Sequence, residues 1–403
     1  MAMVSLEDIT AAQEQLRGLV LHTPLIYSDI LSRSAGREIF LKLENLQITG
    51  SFKLRGSLNK LKRLTAAGKV TGVVAASAGN HAQGVAYAAS RLGIPATIVM
   101  PRWASISKQL ATEGYGGQVI RCGDDLAAAL AKAQELARTG LIPIHPFDDP
   151  EVIAGQGTIG LEILADLPGV DSVVAAVGGG GLASGIAVAL KEMKPRVQVV
   201  GVEASLVPAA QAALKAGHPV TVAAASTLAD GINVTQLGEH TFPLLQRYLD
   251  ELVLVSEAQI AEALLVLLEK KKLLAEGAGA VPVAALLGPL QGRDLGRQVT
   301  LVISGGNIDI PLVGRVLQWG LIHSRRLLTL RVVLADIPGA LGKLSSMLGQ
   351  QNANILHIYH DRRSGDLPLD YTRVEVDLET RGPEHCQTII QALRTAGYAV
   401  EEK

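Results

Sequence analysis

Residues 172–190 read SVVAAVGGGGLASGIAVAL, nineteen residues without a charge between Asp171 and Lys191. By length alone such a span could cross a membrane, which takes about twenty predominantly apolar residues. Its middle, Gly178-Gly179-Gly180-Gly181, argues otherwise, because glycines lose backbone entropy and break a helix in two. The stretch divides better into a strand, Val173–Val177, a glycine loop, and a helix over Leu182–Met193.

The same alternation extends outward from this point. Val70–Ala76, Ala96–Val99, Val197–Val202 and Val299–Ile303 read as further buried strands, being short, β-branched and bounded by polar or glycine turns. Ala82–Leu92, Asp124–Thr139 and Ser256–Leu274 read as helices between them. Strands alternating with helices imply parallel βαβ units and a doubly wound α/β core. Ligands in such folds sit beyond the carboxyl ends of the strands.

The texture changes near Leu321–Arg326, where His323-Ser324-Arg325-Arg326 is a polar break. Strand Leu327–Leu334, the turn Asp336-Ile337-Pro338-Gly339 and helix Ala340–Gln351 follow. Strand Asn354–His360, a turn at 362–366, strand Asp370–Leu378 and helix Pro383–Ala396 come next, with a short strand at Tyr398–Glu401 to finish. The order βαββαβ describes a small α+β domain. The chain therefore reads as residues 1–320, a linker at 321–326 and a second domain at 327–403.

Composition narrows the function. The 403 residues carry 37 Lys+Arg against 38 Asp+Glu, a balance that argues against nucleic acid or an anionic membrane surface as partner. Cys122 and Cys386 are the only cysteines, so neither a disulfide framework nor a cysteine zinc site is expected. Met1–Asp8 holds Glu7 and Asp8 and no basic segment before an apolar stretch, which reads as a cytoplasmic protein. There are 42 glycines but only 3% aromatic residues. That pairing suggests backbone approaching something closely.

Four motifs can carry chemistry. The GGGGLASG run at 178–185 sits between strand and helix, where backbone N–H groups can cradle a phosphate at a helix N-terminus. Gly178, Gly180 and Ala183 also satisfy a dinucleotide fingerprint, with Glu203 where a ribose-binding acid belongs, so a nicotinamide dehydrogenase is a rival reading and tight packing a third. SAGNHAQG at 77–84 is a second strand-to-helix turn, suited to a carboxylate or serving simply as an N-cap. In TGSFKLRG at 49–56, Lys53 lies between Phe52 and Leu54, an apolar setting that makes the neutral, nucleophilic amine easier to reach. SGGN at 304–307 follows strand Val299–Ile303. A hydroxyl there can donate to a ring nitrogen without protonating it.

In this order and spacing, SFKLRG, SAGNHAQG, GGGGL and SGGN resemble the pyridoxal-phosphate enzymes of the tryptophan-synthase-β fold type, and within them the threonine dehydratases (threonine ammonia-lyases). Thr23-Pro24-Leu25, Gly155-Gln156-Gly157-Thr158 and Ala229-Asp230-Gly231 support the likeness, which covers about residues 5–320. It implies a two-lobed catalytic domain of fold type II, with a smaller lobe at roughly 50–150 inserted in the larger. It also implies that Lys53 holds pyridoxal 5'-phosphate as a Schiff base and that Phe52 packs on its ring. Asn80 would bond the 3′-oxygen, Gly178, Gly179, Gly180, Gly181 and Leu182 would wrap the phosphate, and Ser304 would meet the pyridine nitrogen. Ser77, with the amides of Ala78, Gly79, Asn80 and His81, would hold the substrate carboxylate.

The implied activity is a carbon–nitrogen lyase reaction: α,β-elimination of threonine to 2-oxobutanoate and ammonia, with Lys53 taking the Cα proton. A serine-preferring dehydratase is the alternative within the family, and an inert amino-acid-binding regulatory protein the alternative outside it. Serine racemases of the family carry a second serine where this chain has Ala78, which favours one-sided elimination. Cation-binding members carry an aspartate six residues after the position of Glu203; here Ala209 stands there, and no metal is expected. Residues 327–403 resemble an ACT domain, which implies a homo-oligomer and an amino-acid effector, isoleucine or valine, near Asp336, Gly339, Asn354 and Ile355. Such feedback would place the enzyme in isoleucine biosynthesis.

Overall fold

A computed structural model describes residues 3–362 and 367–403, so the turn expected at 362–366 lies, after Arg362, outside the described residues. The chain divides into two units, Met1–Asp309 and Ile310–Lys403.

In the first unit the strands are β1 (Leu25–Tyr27), β2 (Glu38–Leu43), β3 (Val73–Ala76), β4 (Ala96–Met100), β5 (Gln118–Arg121), β6 (Ile142–Pro143), β7 (Ser172–Ala176), β8 (Gln198–Ala204), β9 (Glu251–Val255) and β10 (Gln298–Ile303). Six of them form one sheet in the order β1-β2-β10-β7-β8-β9. All its pairings are parallel except β1 with β2. Strand β7, the start of the uncharged stretch, lies between β10 and β8, with Val173, Val174 and Ala175 fully buried. A parallel strand covered on both faces can be apolar throughout, which is why 173–177 shows no alternation.

Between β2 and β7 the chain leaves this sheet and builds a second, all-parallel one in the order β5-β4-β3-β6. That sheet is the centre of a smaller lobe. Its core joins Val73, Ala75, Ile98 and Met100 to Leu54, Leu58 and Leu61 of helix Lys53–Ala67 and to Ala82, Val85 and Ala89 of helix Asn80–Arg91. The strand expected at Val70–Ala76 starts only at Val73. The helix expected to reach Leu274 ends at Lys271, where Lys272 takes the left-handed conformation with φ 57°.

The second unit opens with helix Ile310–His323, so the stretch 321–326 read as linker includes that helix's last turn. Strands β11 (Leu327–Ala335), β12 (Asn354–Asp361), β13 (Tyr371–Glu379) and β14 (Ala399–Glu402) form an antiparallel sheet ordered β12-β13-β11-β14. Helices Ala340–Gln350 and Pro383–Thr395 complete βαββαβ. β11 and β13 alternate in burial, putting Leu328, Leu330, Val332, Val374 and Val376 into a core with Leu344, Leu348 and Ile389.

Candidate active site

The glycine loop connects β7 to helix Gly181–Met193. Gly180 is the N-cap in the left-handed region at φ 95°, where a side chain would be strained. A Cβ on Gly179 would collide with the Phe147 ring. Thr241 Oγ donates to Gly179 O at 2.7 Å and so fixes the loop from the other side. The first-turn amides of the helix have no intrahelical acceptor and face the direction of the loop. Leu182 is buried in the large-lobe core and anchors this first turn.

Lys53 opens helix Lys53–Ala67, and its Nζ donates to Pro146 O at 2.8 Å and lies 5.2 Å from the Phe52 ring centroid. Burial pulls its pKa down to about 8, against the opposing charge of Glu276. Phe52 packs against the large-lobe core. Its N–H donates to Ser304 O at 3.1 Å, Gly306 N–H donates to Gly50 O at 2.9 Å, and Ser51 bridges Gly305 antiparallel. The lysine and SGGN motifs, distant in sequence, are thus zipped together in space.

The 77–84 motif joins them through Asn80, the first residue of helix Asn80–Arg91. Its amide Nδ2 donates to both Glu276 oxygens, at 2.7 and 2.9 Å, and its Oδ1 accepts from Asn307 Nδ2 at 2.8 Å. Ser77 Oγ accepts from Gly79 N–H at 3.2 Å and closes the turn around Ala78. His81 is buried, with Nε2 donating to Ile144 O at 2.9 Å. Burial, then the charge of Lys53, pushes its pKa down to about 3, so the ring stays neutral and its ring N–H is already committed.

Three participants escaped the sequence reading. Glu276 is buried at the start of helix Gly277–Leu287, and burial, reinforced by Asp230, pushes its pKa up to about 7 against Asn80, Lys108 and Lys53. Its signal was a single acid leading into an uninterrupted apolar run, GAGAVPVAALL. Phe147 and the Pro146 carbonyl come from a loop with no motif of its own. Glu203, by contrast, was singled out but serves elsewhere: both its oxygens accept from the N-terminus of helix Ala209–Ala216, from Ala210 N–H at 2.6 Å and Gln211 N–H at 2.9 Å. A carboxylate so occupied is turned away from any ribose, which weakens the dinucleotide reading.

In the second unit, Gly339 is left-handed at φ 85° and caps helix Ala340–Gln350, while Asp336 pairs with Arg362 at 3.2 Å. Asn354 donates to Glu379 at 3.1 Å, and Ile355 packs on the core. Among the described residues, no group of three or more His, Cys, Asp or Glu could hold a metal ion, and no helix is long and apolar enough to cross a membrane.

A family model described as pyridoxal-phosphate dependent enzyme matches residues 16–305. The chain belongs to this family. The L-threonine ammonia-lyase of Thermotoga maritima is 49% identical to this pyridoxal-phosphate-dependent enzyme over 401 residues, 99% of each chain. The solved T.th. threonine deaminase is 42% identical, with a TM-score of 0.72, across 76% of this chain and 99% of that one. Maize serine racemase is 31% identical, with a TM-score of 0.75, across 80% of this chain and 100% of that one. The site suits the cofactor: an amine of lowered pKa stands beside an aromatic ring, and a side-chain-free loop meets a helix N-terminus.

Proposed function

We propose that this enzyme is an L-threonine ammonia-lyase, converting L-threonine to 2-oxobutanoate and ammonia by α,β-elimination. The observation that carries the reading is the 49% identity to an L-threonine ammonia-lyase from end to end, at 99% of both chains. Lys53 would hold the cofactor, with Phe52 against its ring, Asn80 at its 3′-oxygen, Gly178–Gly181 and Leu182 around its phosphate, and Ser304 at the pyridine nitrogen. When bound, pyridoxal phosphate supplies an electron sink for the bonds at the amino-acid Cα.

The chain's own residues do the rest. The Ser77–His81 turn, at a helix N-terminus, binds the substrate carboxylate. Lys53, whose pKa burial lowers to about 8 and so brings the neutral amine within easier reach, takes the Cα proton as general base. Neutral His81 holds the turn in place through Ile144 O. Asn80 is held by Glu276 and Asn307, so donating to the 3′-oxygen requires its amide to release one Glu276 oxygen. A hydroxyl at Ser304 leaves the ring nitrogen unprotonated, which favours prompt loss of a β-leaving group. Ala78 has no proton to give on the second face of Cα, so racemisation is disfavoured.

The second unit is read as an ACT domain that binds an amino acid, isoleucine or valine, near Asp336 and Gly339 and works in a cytoplasmic homo-oligomer. Its βαββαβ order and antiparallel sheet support that reading. Serine is the competing substrate, since one methyl group is worth about 1–3 kcal/mol of discrimination. Steady-state assays with threonine and serine, with and without isoleucine, rank the substrates and test the effector. Lys53→Ala is expected to abolish both turnover and the visible absorbance of bound cofactor. A Lys53→Ala protein that keeps turnover overturns the assignment.

A further inference from the structure

A second set of bonds crosses between the lobes away from Lys53. Helix Ile106–Gly114 follows β4 in the small lobe, with Ser105 as N-cap. Ser105 Oγ accepts from Lys108 N–H at 3.4 Å and donates to Asp309 Oδ1 at 3.0 Å. Ser107 Oγ donates to the same oxygen at 2.8 Å. Lys108 Nζ lies 3.0 Å from Asp230 Oδ2 and 4.0 Å from Asp309 Oδ2. Both aspartates belong to the large lobe and both adjoin the site. Asp230 begins the short turn Asp230–Ile232, whose last residue presses on Gly178. Asp309 is two residues beyond Asn307, which holds Asn80.

Burial anchors this segment to its own lobe, through Ala104 and Thr112, while its larger apolar side chains stay exposed. Ile106 is 73% exposed, and Trp103 and Leu110 are also exposed. Polar bonds are therefore what tie it to the large lobe, and they are of a kind that exchanges with water. The Lys108 side chain is 18% exposed and that of Asp230 56%, and ion pairs in such surroundings open readily. Burial works against the charge on Lys108, but Asp230, Asp309 and Glu276 hold its pKa above the ordinary lysine value, so it remains charged.

We propose that Ser105, Ser107 and Lys108 form a latch that closes onto Asp230 and Asp309 in each turnover, holding the small lobe over Lys53 while substrate is bound. Lys108 and Asp309 are positioning residues, acting through the lobe that carries Asn80 and the Ser77–His81 turn. This rests on the reading of that turn as the carboxylate site.

Amide hydrogen exchange of the holoenzyme across residues 101–114 tests it, with and without L-alanine, an amino acid that has no β-leaving group. Added L-alanine is expected to slow exchange across this segment in the wild type and not in Lys108→Ala. In threonine assays, Lys108→Ala should raise KM about tenfold and change kcat less than about threefold, as expected for a lost binding-step contact. Cofactor absorbance and thermal midpoint should stay unchanged, and Lys108→Arg should restore most of the wild-type KM. Wild-type exchange protection together with a wild-type KM in Lys108→Ala overturns the latch. A wild type that does not turn over threonine overturns the functional reading instead, and the exchange comparison still decides the latch.

Discussion

Charges bridge the lobes in two places, under opposite conditions. In one, Arg55, in the Lys53 helix, is fully buried and forks onto two carboxylates. Nε and Nη2 donate to Glu44 at 2.8 Å each, and Nη1 and Nη2 donate to Glu162 at 2.6 and 2.9 Å. Lys42, also fully buried, pairs with Glu162 at 2.6 Å and donates to Thr23 O at 2.7 Å. In the other stands Lys108 with Asp230 and Asp309, partly open to water. The buried set has two cations for two carboxylates and no solvent to replace a missing partner, so it fixes where the Lys53 helix sits. The outer set can exchange its partners for water. One holds a position and the other can let go.

Removing one member separates the two places most sharply. Arg55→Ala should cost about 3–5 kcal/mol, because it strands Glu44 without a cation in the core and leaves Glu162 with Lys42 alone. Urea unfolding measures it, and Arg55→Lys should recover only part, lacking the planar fork that serves two carboxylates. A loss as small as that of Lys108→Ala would erase the distinction.

A buried acid without a cation gives the next largest effect. Burial raises Glu162, but Arg55 and Lys42 more than offset it and hold its pKa below the ordinary value. Glu203 has only backbone amides opposing burial, and its pKa rises from 4.5 to about 7. Folded Glu203 keeps a proton that the unfolded chain releases near the ordinary value. Its contribution to stability is therefore complete below about pH 4.5 and lost as pH rises through 7, on the order of 3 kcal/mol. Glu276 shares the shift and buried His81, with its pKa lowered, opposes it, so Glu203→Gln should remove about 2 kcal/mol of the stability lost between pH 5 and 7.5, read by urea unfolding at the two pH values.

Packing without charge comes third. Gly179→Ala drives a methyl group into the Phe147 ring, an overpacking worth about 1–3 kcal/mol. It should appear as weaker binding in a spectrophotometric titration with pyridoxal phosphate. Lys108→Ala stands last, at about 1 kcal/mol or less in unfolding, even though its effect on KM is expected to be large.

Strands β7, β8 and β10 were legible because they are short, largely uncharged and β-branched, whereas β1 and β9 of the same sheet were not read; the second unit was legible because its alternation follows ordinary strand chemistry. Gly178–Gly181 was legible as a loop between strand and helix because four successive glycines interrupt an uncharged run, but the run alone did not choose among a dinucleotide, another phosphate and tight packing. β2 was not legible: EIFLKL carries Glu38 and Lys42, and Lys42 reads as a surface residue until Glu162, far along the chain, is seen against it. Glu276 escaped for the same reason. The sequence shows an acid but not the Asn80 and Lys53 that make its burial tolerable. Local pattern carries strands, caps and loops, whereas charge pairing between distant segments is settled only by the fold.

Lys53 is expected to hold pyridoxal phosphate in this site. Reduction of the holoenzyme with borohydride, followed by proteolysis and mass spectrometry, fixes the cofactor to whichever lysine carries it. The reduced cofactor is expected on the peptide containing Lys53 and on no other. Its recovery on a different lysine, or on none, would contradict the account.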